Sequence, residues 1–244
     1  MVTLQIDTLQ ILEVIQKADN GATEPFLCRL SDDQLYMVKG RSALAHGLIA
    51  ETVCATLGHA VGLPIPDFAI ASIESEQTRF NAEARRSLGV GWVFASKYHD
   101  NLVQVGRSNI EHFSNEILRK IFIFDLWIRN EDRTGTFWGG NSNVFMDVMD
   151  KSLVMFDHNL AFDRSFAVQK FVDLHICRDF WFSDGKGLLD RAYYVDMFQQ
   201  ASELLPILEE AIPDDWLEES LLQFEDIGKT LRKVQEDDFW EAVS

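Results

Sequence analysis

Basic residues are scarce in this chain. Lysine and arginine total 22 against 39 aspartate and glutamate, a formal charge of −17. Such a surface repels polyanions, so direct binding of DNA or RNA is not expected. The deficit is steepest in residues 196–244, which hold fourteen acidic and three basic side chains. That run reads either as solvated helix faces or as a docking surface for a basic protein partner. Cysteine is also sparse. Cys28, Cys54 and Cys177 are odd in number, widely spaced and without a C-x-x-C pair. This argues against a disulfide framework or a cysteine zinc site and suits a reducing cytoplasm. Apolar runs all fall short of the roughly 18 residues needed for a membrane span. The N-terminal segment lacks the basic start of a signal peptide. Internal repeats and low-complexity tracts are missing. His46, His59 and His112 have no partner at metal-ligand spacing and read as surface or core residues.

What remains is an ordinary globular composition, 47% hydrophobic over 244 residues, enough for one large domain or two small lobes. Val2, Leu4 and Ile6 alternate with polar residues as in a strand, and a second short strand is expected from Leu9 to Val14. After the turn-rich Asp19–Thr23 segment, FLCRL and LYMVKG flank SDDQ, a β-hairpin with Lys39 at its end. Ser42 is placed to cap a helix carrying Leu44, Leu48, Ile49, Val53, Leu57 and Val61, ended by Gly62 and Pro64. PDFAIASI and GWVFASKY read as strands, separated by a polar insertion at 76–88. From Asn109 the period becomes helical, with Ile117, Leu118, Ile121, Phe124 and Ile128 inward to residue 128. Beyond Phe166 the chain reads as mainly helical, including a helix opened by Pro213-Asp214-Asp215 that buries Trp216, Leu217, Leu221 and Leu222. The expected architecture is α+β in two lobes. A β-rich lobe covers residues 1–100, and a mainly helical lobe, 101–244, carries a catalytic-looking segment at 125–163.

That segment concentrates the chemistry. The apolar run FIFDLWI leads into Arg129-Asn130-Glu131-Asp132-Arg133. A Gly-rich loop then presents Asn141-Ser142-Asn143, and Asp157-His158 follows two short strands. The order Asp, Asn, Asp on strand-bounded loops is the order in which phosphotransferases arrange three groups. These are a base for the acceptor hydroxyl, a neutral oxygen ligand for Mg²⁺ and an anionic ligand for Mg²⁺. A triphosphate needs such a set because hard Mg²⁺ neutralises it and prefers oxygen donors. Upstream, Lys39 ends a strand and Glu51 sits mid-helix beside apolar neighbours, the pairing that holds a nucleotide's phosphates in kinase-like folds. Taken singly, Lys39 is as readily a hairpin-end lysine, Glu51 a solvent-facing helix charge, and the Asp and Asn residues ordinary turn formers.

Together the stretches GATEPFLCRLSDDQLYMVKG, LIAETVCATLGHAVGLPIPDFAIA, GWVFASKY, FDLWIRNEDR, NSNVFM and VMFDHNLAF resemble the HipA-like kinases, in that family's order. The similarity is closest to the small, stand-alone branch. It implies a two-lobed protein-kinase-like fold, related also to phosphatidylinositol kinases, and phosphorylation of Ser/Thr on an unidentified protein substrate with ATP and Mg²⁺. By that resemblance Lys39 contacts ATP phosphates and Glu51 orients it. Asp132 acts on the acceptor hydroxyl and Asp157 holds the metal. Gly21, Ala22 and Thr23 form the phosphate loop, and Ser96, Lys97 and Tyr98 the hinge beside adenine.

Two departures stand out. Asn141 and Asn143 lie nine and eleven residues after Asp132, farther than in the family, with Thr134 to Gly140 inserted. Either asparagine could be the metal ligand, and Asn141 is preferred. Trp138 in that insertion could cover substrate. The extra N-terminal subdomain of the long toxins is not expected, because 244 residues leave no room for it. Three alternatives stay open: a small-molecule or lipid kinase, a degenerate kinase fold acting as a binding module, and, more remotely, a metal-dependent hydrolase.

Overall fold

The computed structural model describes residues 6–19, 21–135, 140–183 and 188–244. The expected strand around Val2 and Leu4, and Trp138, lie outside them. Five strands form a closed barrel: β1 (Asp7–Lys17), β2 (Phe26–Leu30), β3 (Leu35–Lys39), β4 (Phe68–Ile73) and β5 (Gly91–Lys97), in the order β1-β2-β3-β5-β4. All neighbours are antiparallel except β1 and β4, whose parallel pairing closes the barrel. The expected strand from Leu9 to Val14 is thus the middle of one longer strand. Register shifts at Ile11/Glu13 and Val14/Gln16 let it bend around the barrel without ending.

Between β3 and β4 runs α1 (Leu44–Ala60). Ser42 does not cap it. Arg41–Ala43 instead form a 3₁₀ turn, the helix begins without a side-chain cap, and Leu44 is exposed rather than inward. At the other end Gly62, at φ +70°, turns the chain as the sequence leads one to expect. The insertion contributes α2 (Ala82–Ser87), capped by the Asn81 side chain. Ala84 and Leu88 from this segment join Ile11, Phe26, Leu30, Val38 and Val93 in the barrel interior.

After β5, a short β6 (Leu102–Gln104) leads to α3 (Asn115–Trp127). This helix starts later than Asn109, because residues 110–112 are a separate 3₁₀ turn and the Ser114 hydroxyl caps the helix proper at Ile117 N–H. Strands β7 (Val144–Asp147) and β8 (Leu153–Met155) join β6 in a small antiparallel sheet. Among the described residues seven helices follow: α4 (Val168–Leu174), α5 (Arg178–Phe182), α6 (Leu188–Ser202), α7 (Leu205–Ala211), α8 (Asp214–Glu219), α9 (Phe224–Arg232) and α10 (Asp237–Glu241). Trp216 is buried on α8, but the helix stops before Leu221, which is exposed.

Most of the apolar core is continuous across the chain. Leu48, Ile49, Val53 and Leu57 of α1 share one cluster with Phe122, Phe124 and Trp127 of α3 and Phe198 of α6. Trp127 and Phe198 stack at 4.2 Å, and the Trp127 indole N–H donates to the Leu231 carbonyl at 2.8 Å. Such a stacked pair adds about 1 kcal/mol beyond its area burial. The consequence for function is that α1, although inserted in the β-rich part, is held by the helical part. Its Glu51 is therefore fixed between the two.

Candidate active site

Lys39 and Glu51 come from adjacent elements, the end of β3 and the second turn of α1. The Lys39 ammonium lies 2.5 Å from Glu51 Oε1 and 2.6 Å from Asp157 Oδ1. Asp157 follows β8, with a backbone φ of +67° that a non-glycine residue adopts only when its surroundings hold it there. The stacked rings of Phe145 and Phe156, 4.5 Å apart, tie that strand pair together just before it. Glu51 Oε2 accepts the His158 backbone N–H at 3.1 Å, so this one carboxylate links strand, helix and the Asp157 loop.

Two carboxylates share one ammonium here, and their titrations diverge. Burial raises the Glu51 carboxyl, with Lys39 opposing and the Asp157 charge adding to the rise. On Asp157 burial acts the same way, but the Lys39 charge and hydrogen bond outweigh it, and the carboxyl is held below its usual range. Burial alone would lower Lys39. The two carboxylates overcome this and push it up. The lysine is therefore a fixed cation.

Asp132 accepts hydrogen bonds at Oδ2 from the amide nitrogens of both Asn141 and Asn143, each at 2.9 Å. Its carboxyl is raised, first by burial and then by the Asp157 charge, against the pull of the two amides and Arg133. The long Asp-to-Asn spacing is absorbed at a narrow neck. Thr134 N–H donates to the Asn141 carbonyl at 2.8 Å, and Asn141 N–H to Thr134 Oγ1 at 3.2 Å. Thr134 and Asn141 are thus bonded to each other across the insertion, and both asparagines still reach Asp132. Strand alternation does not achieve this. β7 starts only at Val144, and Asn143 sits at φ +46°.

A cavity of about 210 Å³ opens beside these groups. Its floor and walls include Met37, Ile65, Phe94, Leu102 and Phe156, with Lys39 and Asp157 at the polar end. Gly21 and Thr23 line it, as do Ser96, Lys97 and Tyr98, whereas Ala22 is exposed and outside the lining. Glu24, next to the Gly21 loop, is tied down by Lys17 at 2.7 Å and by the Ser87 hydroxyl of α2 at 2.6 Å. Lys17 and Ser87 hold its carboxyl down at about 2.

Sequence reading passed over the buried groups beneath Asp132. Asp125 of α3 and the Arg133 side chain have no exposed surface, and His158 and His175 are also buried. Arg133 Nε donates to Asp125 Oδ2 at 2.6 Å, and His175 Nε2 lies 2.9 Å from the same oxygen. One signal was available: Asp125 is the lone acid inside FIFDLWI, where an unpaired charge would be costly to bury.

With the geometry established, likeness to known proteins acquires meaning. A family model for HipA-like kinases matches residues 11–243. The chain belongs to the HipA-like kinase family. Its fold is protein-kinase-like. It is similar to the crystal structure of the Helicobacter pylori proinflammatory kinase CtkA, with a TM-score of 0.58 and 13% identity over 98% of this chain and 97% of that one. A Golgi casein kinase solved with Mn/ADP bound is also similar, with a TM-score of 0.50 and 11% identity over 99% of this chain and 73% of that one. Curated proteins give no significant sequence match. At these identities the structural likeness speaks for the fold. Among the described residues no helix is long and apolar enough to cross a membrane, and no three His, Cys, Asp or Glu side chains gather as metal ligands.

Proposed function

We propose that this HipA-like kinase transfers the terminal phosphate of ATP, with Mg²⁺, to a Ser or Thr hydroxyl of a protein. The observation that carries the reading is that the Lys39–Glu51–Asp157 cluster lies beside the Asp132–Asn141–Asn143 cluster, close enough for the Asp157 charge to raise Asp132 and for the Phe156 N–H to bond the Asn143 carbonyl. The apolar end of the cavity suits a purine, with Ser96, Lys97 and Tyr98 at its edge. Lys39, held charged, meets the phosphates, and Gly21 and Thr23 offer loop backbone to them. The donor set fits a hard cation. Asp157 supplies an anionic oxygen, and because each asparagine nitrogen is spent on Asp132, its amide oxygen is the atom left over. Mg²⁺ characteristically takes one or two carboxylates and completes its shell with phosphate oxygens and water. When bound, the metal would neutralise charge on the transferred phosphoryl group.

Asp132 then orients the acceptor hydroxyl. Its raised carboxyl is better matched to accepting a proton than an ordinary aspartate would be. The lobes are assigned as 1–100 and 101–244, and the acidic 196–244 surface is assigned to a basic partner. Buried, unbridged cysteines favour a reducing compartment, here the cytoplasm.

The deciding experiment is a thermal-shift titration with ATP, MgCl₂ and MnCl₂, alone and combined. A ligand held at about 100 times its Kd stabilises the folded state by about 2.7 kcal/mol. Nucleotide with metal should therefore raise the melting temperature more than either alone. No shift at millimolar concentrations would leave the fold as a binding module without nucleotide chemistry.

A further inference from the structure

The guanidinium of Arg133 is fully committed to hydrogen bonds. Nε donates to Asp125 Oδ2 at 2.6 Å. Nη1 donates to the carbonyls of Asn143 at 2.7 Å and Ser142 at 3.3 Å. Nη2 faces His158 Nε2 at 3.0 Å and Asp125 Oδ1 at 3.5 Å. All five N–H groups of the fork thus have an acceptor.

Those acceptors lie on different segments. Arg133 follows Asp132 in sequence. Ser142 and Asn143 belong to the asparagine segment, and His158 follows Asp157. Asp125 anchors the fork to α3. We propose that Arg133 is a positioning residue that sets the Asp132, Asn143 and Asp157 segments at fixed separations, with Asp125 and His158 fixing the fork's orientation.

The protonation states agree with this assignment. Arginine can only donate, so His158 Nε2 must accept and His158 must be neutral. Burial, then Arg133, push it down to about 3. His175 is also neutral, because its Nδ1 accepts the Cys177 backbone N–H at 3.1 Å, leaving Nε2 to donate to Asp125. Burial lowers it despite Asp125. The linkage continues across the cleft. The His158 backbone N–H donates to Glu51, which holds Lys39. An unbroken polar chain therefore runs from the barrel to α3. Lysine could keep the charge of Arg133 but not the planar fork.

The proposal rests on the phosphotransfer reading, and its test separates the two. Kinetics are compared for wild type, Arg133→Lys, His158→Phe and His158→Gln, at a temperature where melting curves show each folded. A misplacement near 1 Å costs about 100-fold in rate. Arg133→Lys and His158→Phe should therefore lose about that factor in kcat, with KM for ATP changing by less than about threefold. His158→Gln, whose amide oxygen can accept, should recover much of the loss. A kcat within about threefold of wild type in both Arg133→Lys and His158→Phe would overturn the proposal.

If wild type itself transfers no phosphate, the kinase reading fails and amide hydrogen exchange decides about Arg133. The Phe156 N–H, bonded to the Asn143 carbonyl, and the His158 N–H are the joints between segments. Both should exchange about tenfold faster in Arg133→Lys while α9 is unchanged. Unaltered exchange at both joints would refute the positioning role. Should Arg133→Lys fail to fold, His158→Phe carries the same kinetic and exchange comparisons.

Discussion

Lys39 and Glu51 meet at 2.5 Å across twelve residues of sequence, and the pair is possible only because α1 is anchored by the helical core behind it. Glu51 is buried and its carboxyl raised, so it persists as a carboxylate through the ammonium it holds. Lys39→Met should therefore do two things. Nucleotide-induced stabilisation should fall, and the apo protein should lose about 3 kcal/mol, because Glu51 and Asp157 are left without their cation. Urea unfolding with and without MgATP checks both. An apo stability equal to wild type would mean that the pair is solvated in solution.

Asp157→Ala separates metal from fold. In the proposed site this carboxylate is the anionic metal donor, and removing it leaves Lys39 paired with Glu51. The metal-dependent part of the ATP thermal shift should vanish, with apo melting within a few degrees of wild type. Retention of the full MgATP shift would assign the metal elsewhere.

Asp132→Asn should preserve the MgATP shift and lower phosphate transfer by a factor on the order of 10³, because in the proposed reaction Asp132 serves the acceptor hydroxyl rather than the triphosphate. Equal turnover would mean that another carboxylate is the base.

The two asparagines are now distinguishable. From sequence, Asn141 is the preferred metal ligand. In the structure Asn141 is exposed, whereas Asn143 is buried, at φ +46°, with its carbonyl held by Arg133. A preorganised donor loses less entropy on binding, so Asn143→Ala should cost more turnover than Asn141→Ala. The reverse ranking would restore Asn141. Gly140→Ala offers an independent probe of the neck. A Cβ there would sit 2.7 Å from the Thr134 carbonyl oxygen, so the change should displace Asn141 and lower turnover without affecting ATP binding.

Acid sensitivity should trace in large part to His158, with the buried His175 adding in the same direction. Its folded value of about 3 lies below the ordinary 6.5, so the unfolded chain takes up the proton first as pH falls. Its contribution is complete above about pH 6.5 and drains away towards pH 3, on the order of 4 kcal/mol at the lower limit. Asp125, which Arg133 and His175 hold low against burial, adds its own loss at still lower pH, and both wild type and His158→Phe retain it. Urea unfolding at pH 7, 5.5 and 4 should therefore give a flatter slope for His158→Phe than for wild type. Parallel slopes would show that another group titrates.

The amino-acid sequence determined the order of elements and the chemical types on offer. Lys39 ends a strand because alternation and turn residues say so locally, and Asn141, Asn143 and Asp157 follow Asp132 in the order a phosphotransferase needs. Family membership was legible for the same reason, because motif order survives insertions. Helix and strand ends were less legible. At Ser42 and Asn109 a 3₁₀ turn competes with the helix start, and packing rather than propensity chooses between them. The tertiary structure alone decided which charges are partners. Asp157 reaches Lys39 across 118 residues, and Arg133 finds Asp125, His158 and two carbonyls. In sequence none of these pairings can be read, even where, as for Asp125 inside FIFDLWI, the residue itself stands out. What makes them a site is burial. Inside the core an unpaired charge is too costly to keep, so the packing that excludes water also dictates which groups must meet.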